Sequence, residues 1–501
     1  MRTWYHSWRA AIRIARRDAW RFKGRSFLVL AMIALPILGV SAMDLTIRTS
    51  ELTASESLDR DLGRADAKFT DPGLGGVPIL QNPDNTQYTP VKDYDNEPWP
   101  DGKADVTKAI PVGSRVLTDT TGNGKLRTKH GLLNTRIHEL KAADPMAKGM
   151  LRLNSGHFPE KTGEVAATTH FLETSGLRVG SKLTARSLDA DYRIVGSYEL
   201  PNELKADEVN ALPGALLAPL DKALKADQLP GTDPSTVHLL TVPGHSFTWN
   251  MVQKVNTFGI TVDSRTVRMH PPAKADIPLY QKSGWSDGRS EGSDVTVLAS
   301  AATVIGLAML EICLLAGPAF AVGARRSRRQ LGLVGANGGD RRHIRAIVLA
   351  GGLVIGVASA VVGSILGIAL TFALRPTLEN LTGQRFGSYH FRPLELAGIA
   401  ALAVLTGLLA AIVPAINASR QTVLASLTGR RGIRRSSRVL PVVGLIAFLL
   451  GAAIALYGST LTDQFAIVAG GSAIAELGVV ALTPALVGLF GRGGRWLPLS
   501  P

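Results

Sequence analysis

Few residue patterns in the 501-residue chain have the spacing of a catalytic or ligand-binding site. Residues 120–126, TTGNGKL, superficially resemble a phosphate-binding loop, which would cradle a nucleotide with backbone N–H groups. Lys125 is followed by Leu126 where that motif requires Ser or Thr, and Asp119 stands where its first glycine should be. We therefore interpret this segment as a turn.

The other residue types that could do chemistry are scattered. No His-x-x-x-His pair or Gly-x-Ser-x-Gly motif is present, and the only cysteine, Cys313, lies in an apolar run. Histidines at isolated positions are expected to be solvated or in turns, namely His130, His138, His157, His170 and His238. The sequence thus predicts no enzyme active site, no metal site and no cofactor.

Two acidic residues interrupt apolar runs, Glu311 in AMLEICLLAG and Glu476 in AIAELGVV. A carboxylate inside a bilayer is costly, so each of them warrants a functional hypothesis. One hypothesis is a proton relay. The alternative is a protonated side chain that hydrogen-bonds to a neighbouring helix.

The elements that must position these residues are membrane helices, because 46% of the residues are hydrophobic and they concentrate in long runs. Six spans are predicted, at 27–43, 297–322, 347–374, 396–416, 440–457 and 465–490. Lys and Arg number 8 in residues 1–25, 7 in 325–345 and 6 in 419–438, against 3 in 375–393 and none in 458–464. The positive-inside rule then places both termini in the cytoplasm and the long segment between the first two spans outside. This pattern also explains the net charge of +15 without nucleic-acid binding.

The segment before the first span, residues 4–22, places apolar residues at helical spacing among arginines. It predicts an amphipathic helix along the inner leaflet, although the charges by themselves could serve only to orient the chain. A further helix is predicted to leave the membrane at 45–62. Beyond it, turn-rich segments and β-branched runs predict an α+β domain with mixed sheets; strands are expected at 163–169, 181–187, 192–198, 236–242 and 259–265, and a helix at 248–258.

The third predicted span carries glycines at four-residue spacing. They are Gly352, Gly356, Gly363 and Gly367, and they leave one face of the helix nearly free of side chains. Such a face is typical of close helix packing, in a bundle or in a dimer.

Three blocks together resemble the FtsX-like permease family, the MacB-type branch of ATP-binding-cassette (ABC) transporters. Residues 324–370 resemble its basic loop and the Gly-rich span that follows. Residues 414–430, PAINASRQTVLASLTGR, are similar to the pattern that closes its four-span unit. Residues 156–199 resemble its extracytoplasmic core domain.

The resemblance implies a membrane α-helical fold of about six transmembrane helices with a large extracytoplasmic α+β domain of MacB periplasmic-core type. The expected parts are a cytoplasmic basic helix (1–25), the first transmembrane helix (26–46), the core domain (47–294), the FtsX-like permease domain (295–430) with a coupling loop (324–343), and two more helices with the C-terminal tail (431–501).

The resemblance also implies a non-catalytic permease subunit that works with a cytoplasmic ABC ATPase dimer, which binds the ATP. In the coupling loop Leu331, Leu333 and Val334 would form an apolar knob for the ATPase. The remaining loop residues expected to take part are Arg325, Arg326, Arg328, Arg329, Gly332 and Gly335. Hydrolysis would drive the extracytoplasmic domain to export or extract an amphipathic or lipid-like molecule.

Two alternative functions remain open from the sequence. One is a mechanotransmitting regulator or sensor, which would activate a cell-wall hydrolase as FtsX-type proteins do or detect antimicrobial peptides. The other is a receptor or adhesin that needs no ATPase.

The expected partners and location also follow from the resemblance. We expect a multi-pass protein of the plasma membrane, in contact with membrane lipids. Related members with a similar basic leader often repeat the whole unit, so a second permease half or a second copy is expected as a partner.

Overall fold

A computed structural model of the chain describes residues 2–94, 98, 100, 102–188, 190–282, 320–322, 333, 340–420, 439–462 and 465–493. The chain divides into two compact units. The membrane unit comprises Met1–Thr46, Arg289–Ala373 and His390–Pro501, and the sheet unit comprises Ile47–Gly288 and Leu374–Tyr389. The sheet unit therefore includes a short segment that follows the third predicted span.

The α-helices and β-strands are numbered in chain order. The first part of the chain contains α1 (Arg2–Arg21), α2 (Lys23–Ser50), α3 (Ala54–Leu62), β1 (Ala67–Thr70), β2 (Ile79–Gln81), β3 (Tyr88–Pro90), α4 (Val106–Ala109), β4 (Arg115–Thr128), β5 (Gly131–Leu140), β6 (Arg152–Gly156), β7 (Glu164–Thr168), α5 (Thr169–Ser175) and β8 (Lys182–Ala185). The second part contains β9 (Asp191–Glu199), β10 (Glu208–Ala211), α6 (Leu217–Ala226), β11 (Ser235–Thr241), α7 (Trp249–Asn256), β12 (Thr261–Ser264), α8 (Arg265–Met269), α9 (Pro278–Gln281), α10 (Arg341–Thr382), α11 (Pro393–Ser419), α12 (Val439–Tyr457) and α13 (Phe465–Gly493).

Within the described residues, four helical segments are long and apolar enough to cross a membrane. They are Ser26–Ser50, Arg341–Thr382, Pro393–Ser419 and Pro441–Thr460. They coincide with the first, third, fourth and fifth predicted spans. The second predicted span lies outside the described residues except for 320–322, and the apolar part of α13, Ile467–Leu482, is shorter. The number of six spans therefore stays a prediction.

The sheet unit is built around a closed ring of strands. The pairings run β4–β5–β10–β7–β9–β8 and return from β8 to β4, which makes a barrel of six strands. Each strand contributes at least one inward, fully buried side chain to a single core, including Leu126, Ile137, Val209, Val165, Ile194 and Leu183. Closure pairs both edges of every strand in the ring, so the core is enclosed. Strands β11, β1 and β12 extend the sheet from β4, and β6 extends it from β9.

Helix α6 packs on the barrel core through Leu217 and Leu220. The carboxylate of Glu139, only 4% exposed, accepts hydrogen bonds at 2.7 Å from the backbone N–H groups of Gly214, Leu216 and Leu217, at the start of α6. A negative charge at a helix N-terminus satisfies its unpaired donors.

The interpretation of residues 120–126 as a turn is wrong. These residues form the middle of the 14-residue strand β4. Gly122 and Gly124 point into the barrel, where an added methyl group would come within 2.7 Å of Leu217 and 2.8 Å of Leu220. The two glycines leave the space that α6 fills.

The other secondary-structure predictions for this domain agree better with the structure. The five predicted strands correspond to β7, β8, β9, β11 and β12, and the predicted helix corresponds to α7. The helix predicted at 45–62 is divided instead into the end of α2 and α3. Thr53 begins α3 with a capping box, in which its side chain accepts from the Glu56 N–H while Glu56 accepts from the Thr53 N–H.

In the membrane unit, the glycines of α10 contact two different helices. A methyl group at Gly352 would lie 2.5 Å from the carbonyl oxygen of Gly407 in α11, and Gly356 faces Val404 of the same helix. Gly363 and Gly367 face α2 instead, 2.8 Å from the carbonyl oxygens of Ala34 and Leu38 respectively. The glycine face of α10 therefore packs inside one chain.

Replacing Gly363 with leucine is expected to disrupt this packing, because no side chain fits where a methyl group alone would meet Ala34 and Ile37. We expect a loss of about 1–3 kcal/mol of folding stability, measured as a lower melting temperature of the full chain in detergent. Gly351→Leu is the matched control, since a methyl group there meets nothing within 4 Å. Equal melting temperatures for the two variants would contradict the assignment.

Helix α1 forms where the sequence predicts an amphipathic helix. Its apolar side, however, is occupied in part by protein: Ala11 and Ala15 are buried against Ala350 of α10. The exposed arginines lie elsewhere on the helix, at positions 9, 13, 16, 17 and 21. The alanines are thus packing residues within the bundle.

Candidate functional site at the C-terminal end of α10

Helix α10 is much longer than a membrane requires. Its 42 residues span roughly 63 Å at 1.5 Å per residue, whereas about 20 residues cross a bilayer. It begins at Arg341, within the predicted coupling loop, and it ends at Thr382, beyond the boundary between the two units at residue 374. Pro376 lies near that boundary and removes one helical hydrogen bond, because proline has no N–H to donate to the carbonyl four residues earlier.

The residues after α10, 383–389, form a segment that we call the strap, because backbone hydrogen bonds tie them across the sheet unit. The Arg385 N–H donates to the carbonyl of Pro201 and the Leu204 N–H donates to that of Gly383, both at 2.7 Å. The Gly387 N–H donates to the carbonyl of Thr49 at 2.8 Å. The strap thereby joins the loop after β9 to the end of α2.

Arg385 is the central side chain of the strap. Its guanidinium donates to both carboxylate oxygens of Glu199 in β9, at 3.0 and 2.8 Å, and its third nitrogen donates to Glu379 of α10 at 2.8 Å. The carboxylates of Glu199 and Glu379 are only 7% and 6% exposed. A bidentate Arg–carboxylate pair fixes both distance and orientation. Arg385 therefore clamps the end of α10 to β9.

Helix α3 also contacts the strap, through the side chains of Arg60 and Glu56. Arg60 donates to the backbone carbonyls of Arg385 at 2.8 Å and Phe386 at 3.2 Å. Glu56 accepts from both the N–H and the hydroxyl of Ser388, at 2.7 and 2.6 Å. Glu379 closes the network by accepting from Arg375, one helical turn earlier, at 2.7 Å.

The ionisation of these groups follows from their contacts. Hydrogen bonds to Glu199 and Glu379 hold the pKa of Arg385 well above its ordinary value. Burial would raise the pKa of Glu199, but the hydrogen bond and charge of Arg385 bring it below its ordinary value. Burial acts in the same direction on Glu56, yet its hydrogen bonds from Ser388 and Thr53 lower its pKa to about 2. The clamp is therefore charged throughout the physiological pH range.

A second buried charge cluster lies in the sheet unit, on strands β4, β5, β9 and β10 of the barrel. His138 contacts Asp119 through Nε2 at 2.8 Å and Glu208 through Nδ1 at 3.0 Å. The hydroxyl of Tyr198 donates to Glu208 at 2.8 Å, and Arg136 also pairs with Glu208. Burial would lower the pKa of His138, but hydrogen bonds to the two carboxylates raise it to about 10.

The sequence-based expectation of a solvated or turn histidine is therefore wrong for His138, which is 6% exposed. A positively charged imidazole between two carboxylates is a structural ion triad. Among the described residues, no group of three or more His, Cys, Asp or Glu side chains could hold a metal ion.

Most of the predicted site residues lie outside the described residues. Of the nine loop residues expected to contact the ATPase, only Leu333 is among those described, and it is 56% exposed. Glu311 also lies outside the described residues, and Glu476 is half-buried in α13. The four predicted packing glycines lie together on α10. The functional roles expected for the loop and for the two acids stay predictions.

Sequence reasoning missed the strap and its partners. In the sequence alone, Arg375, Arg385 and Arg392 are only charges near a span. The spacing of Arg375 and Glu379, four residues apart at the end of an apolar helix, is the available signal for an extension of α10 beyond the membrane.

Residues 298–423 match the family model described as FtsX-like permease C-terminal. No curated protein matches the chain. Among solved structures, the crystal structure of the extracellular domain of the noncanonic ABC-type transporter YknZ from Gram-positive bacteria is similar at 12% identity and a TM-score of 0.23, covering 32% of this chain and 86% of that one.

Proposed function

We propose, from the match of residues 298–423 to the FtsX-like permease C-terminal family model, that the chain is the permease subunit of an ABC transporter. A separate cytoplasmic ATPase dimer binds and hydrolyses the ATP, and the chain itself is not an enzyme and binds no cofactor. Residues 324–343 form the loop that receives the ATPase.

The continuity of α10 is the observation that carries this proposal. One uninterrupted helix begins at Arg341, within that loop, and ends at Thr382, where the strap begins. Displacement of the start of α10 by the ATPase is transmitted along the helix to the strap. Arg385 then carries the displacement into β9 and the barrel.

The remaining parts of the proposal concern location and cargo. The distribution of Lys and Arg favours a plasma-membrane protein with six spans and cytoplasmic termini. Its sheet unit is then extracytoplasmic and of MacB type. The moving sheet unit handles an amphipathic or lipid-like molecule for export or extraction. A second permease half or a second copy completes the transporter.

Association with an ATPase is the direct test. The full chain is co-expressed with the ABC ATPase encoded nearby, purified in lipid nanodiscs, and its ATP hydrolysis is compared with that of the ATPase alone. We expect a stable complex and a changed hydrolysis rate. Failure of the two proteins to associate would remove the proposal.

Leu331→Asp tests the loop itself. A charge in the apolar knob is expected to abolish the effect of the permease on ATP hydrolysis, because a buried unpaired carboxylate opposes docking into an apolar groove. Membrane insertion should be unchanged. Gln330→Asp adds the same charge at the neighbouring polar position and serves as the control. Full coupling in the Leu331 variant would show that the ATPase docks elsewhere.

A further inference from the structure

Five exposed cationic residues lie close together on the outer surface of the barrel. Lys125 and Arg127 are on β4, Lys182 is on β8, Arg193 is on β9, and Arg186 directly follows β8. We call this surface the cationic wall. It lies entirely within the sheet unit and has no part in the strap.

The strand register brings these charges onto one face. Leu126 pairs with Ala185 and both point into the core, so the neighbouring pair, Arg127 and Thr184, points outward. Lys182 pairs directly with Arg193 on the same outward face. The Arg186 N–H donates to the carbonyl of Lys125 at 2.9 Å, which places these two residues side by side. Alternate residues of a strand are about 7 Å apart and adjacent strands about 4.8 Å apart.

The positive charges of this surface outnumber the carboxylates on the same face, Asp191 and Glu164. Lys182 pairs with Asp191 at 3.0 Å. The other four are not within ion-pair distance of a described carboxylate, although Glu164 of β7 is paired across the strands with Arg193 and Asp191 lies two residues before Arg193 on the same outward face. Like charges on neighbouring strands repel one another, so an anion that bridges them would be bound favourably.

The neighbours of these cations indicate the kind of anion. Lys125 is opposite the exposed Asn134, and the exposed Asn123 is on the same strand. The one large apolar side chain opposite these cations is Leu132, half-exposed across from Arg127. Protein interfaces have an apolar, often aromatic centre. A single leucine does not make such a centre, and the described residues of this surface include no aromatic one. Cations separated by hydrogen-bonding amides and hydroxyls are suited to a chain of repeated anionic groups.

We propose that the cationic wall binds an extended polyanion that carries phosphate groups. Lys125 and Arg127 contact successive anionic groups along β4, and Arg186 and Arg193 contact them from the adjacent strands. This binding is independent of the ATPase and of the strap, so it can be tested whether or not the chain is a transporter subunit.

The first measurement is affinity. The full chain, in nanodiscs of zwitterionic lipid, is titrated into fluorescent linear polyphosphate at several salt concentrations. The double variant Lys125→Gln, Arg127→Gln is expected to bind at least tenfold more weakly, with a slope against the logarithm of salt concentration shallower by about 1.4, the value for two lost phosphate contacts to a single-stranded polyanion. Both side chains are exposed, so the melting temperature should not change.

The second measurement locates the contact. Acetylation of lysines in the native protein is followed by mass spectrometry with and without polyphosphate. Polyphosphate is expected to slow acetylation of Lys125 and leave that of Lys222, an exposed lysine on α6, unchanged. Lys222 is the internal control because it lies in the same unit.

Three outcomes would overturn the proposal. The first is unchanged affinity in the double variant. The second is equal protection of Lys125 and Lys222, or protection of neither, which would place the polyphosphate on another basic surface such as α1. The third is protection of Lys125 by phosphatidylglycerol vesicles and not by polyphosphate, which would identify the ligand as a lipid surface.

Discussion

Replacing Arg385 with methionine is expected to release the strap while leaving the chain inserted and bound to the proposed ATPase. Methionine keeps the unbranched apolar part of the side chain but removes the guanidinium, which leaves the buried carboxylates of Glu199 and Glu379 without their shared cation. Breaking such a pair costs about 3 kcal/mol or more. Amide hydrogen exchange in residues 383–389 should therefore accelerate about a hundredfold.

The same variant tests transmission of movement. In the proposed complex of the unmodified chain with the ATPase, vanadate trapping is expected to change hydrogen exchange in both the strap and β9. In Arg385→Met, vanadate trapping should still change hydrogen exchange in α10 but no longer in β9, and ATP hydrolysis should be retained. Arg392→Met is the control, because Arg392 is 62% exposed and pairs only with the nearby Glu395 among the described residues. A nucleotide-dependent change in β9 that persists without Arg385 would show that movement reaches the barrel by another route.

Replacing His138 with leucine is expected to lower the stability of the barrel by about 3–5 kcal/mol, because Asp119 and Glu208 are then left buried near one another without a cation between them. The measurement is the free energy of opening of the slowest-exchanging amides in β5 and β10, in the full chain. His238→Leu is the matched control. Burial lowers the pKa of His238, so leucine there replaces a neutral imidazole and should cost little.

The pH dependence gives an independent measure of the same triad. The pKa of His138 is raised from 6.5 to about 10, so its contribution to stability is complete below 6.5 and is lost as the pH rises toward 10. Native barrel stability should fall across that interval, and the fall should be absent in His138→Leu. A stability that stays constant up to pH 10 in the native chain would contradict the charged triad.

Local patterns in the sequence predict those parts of the fold that local interactions determine. Strands β7, β9 and β11 have β-branched and aromatic residues between turns, and the spans are continuous apolar runs. The prediction for residues 120–126 fails because Gly122 and Gly124 normally indicate a turn. Their role in the barrel depends on α6, which lies almost a hundred residues later in the chain.

The candidate site could not be predicted for the same reason. Arg385 and Glu199 are separated by 186 residues, and Arg60 and Phe386 by 326. The contact between His138 and Glu208 spans 70 residues. Nothing in the immediate sequence of His138 distinguishes it from an exposed histidine. Such charged groups become recognisable as partners only when the barrel has brought them together.

The proline near the end of α10 has a mechanical consequence. A rigid rod of roughly 63 Å that tilts by about 5° moves its far end sideways by about 5 Å. Pro376 weakens the helix a few residues before the strap, at the boundary between the units. A helix weakened at one point still transmits displacement along its axis but transmits little bending. We therefore expect movement along the axis of α10 to reach the strap more completely than bending of the helix does.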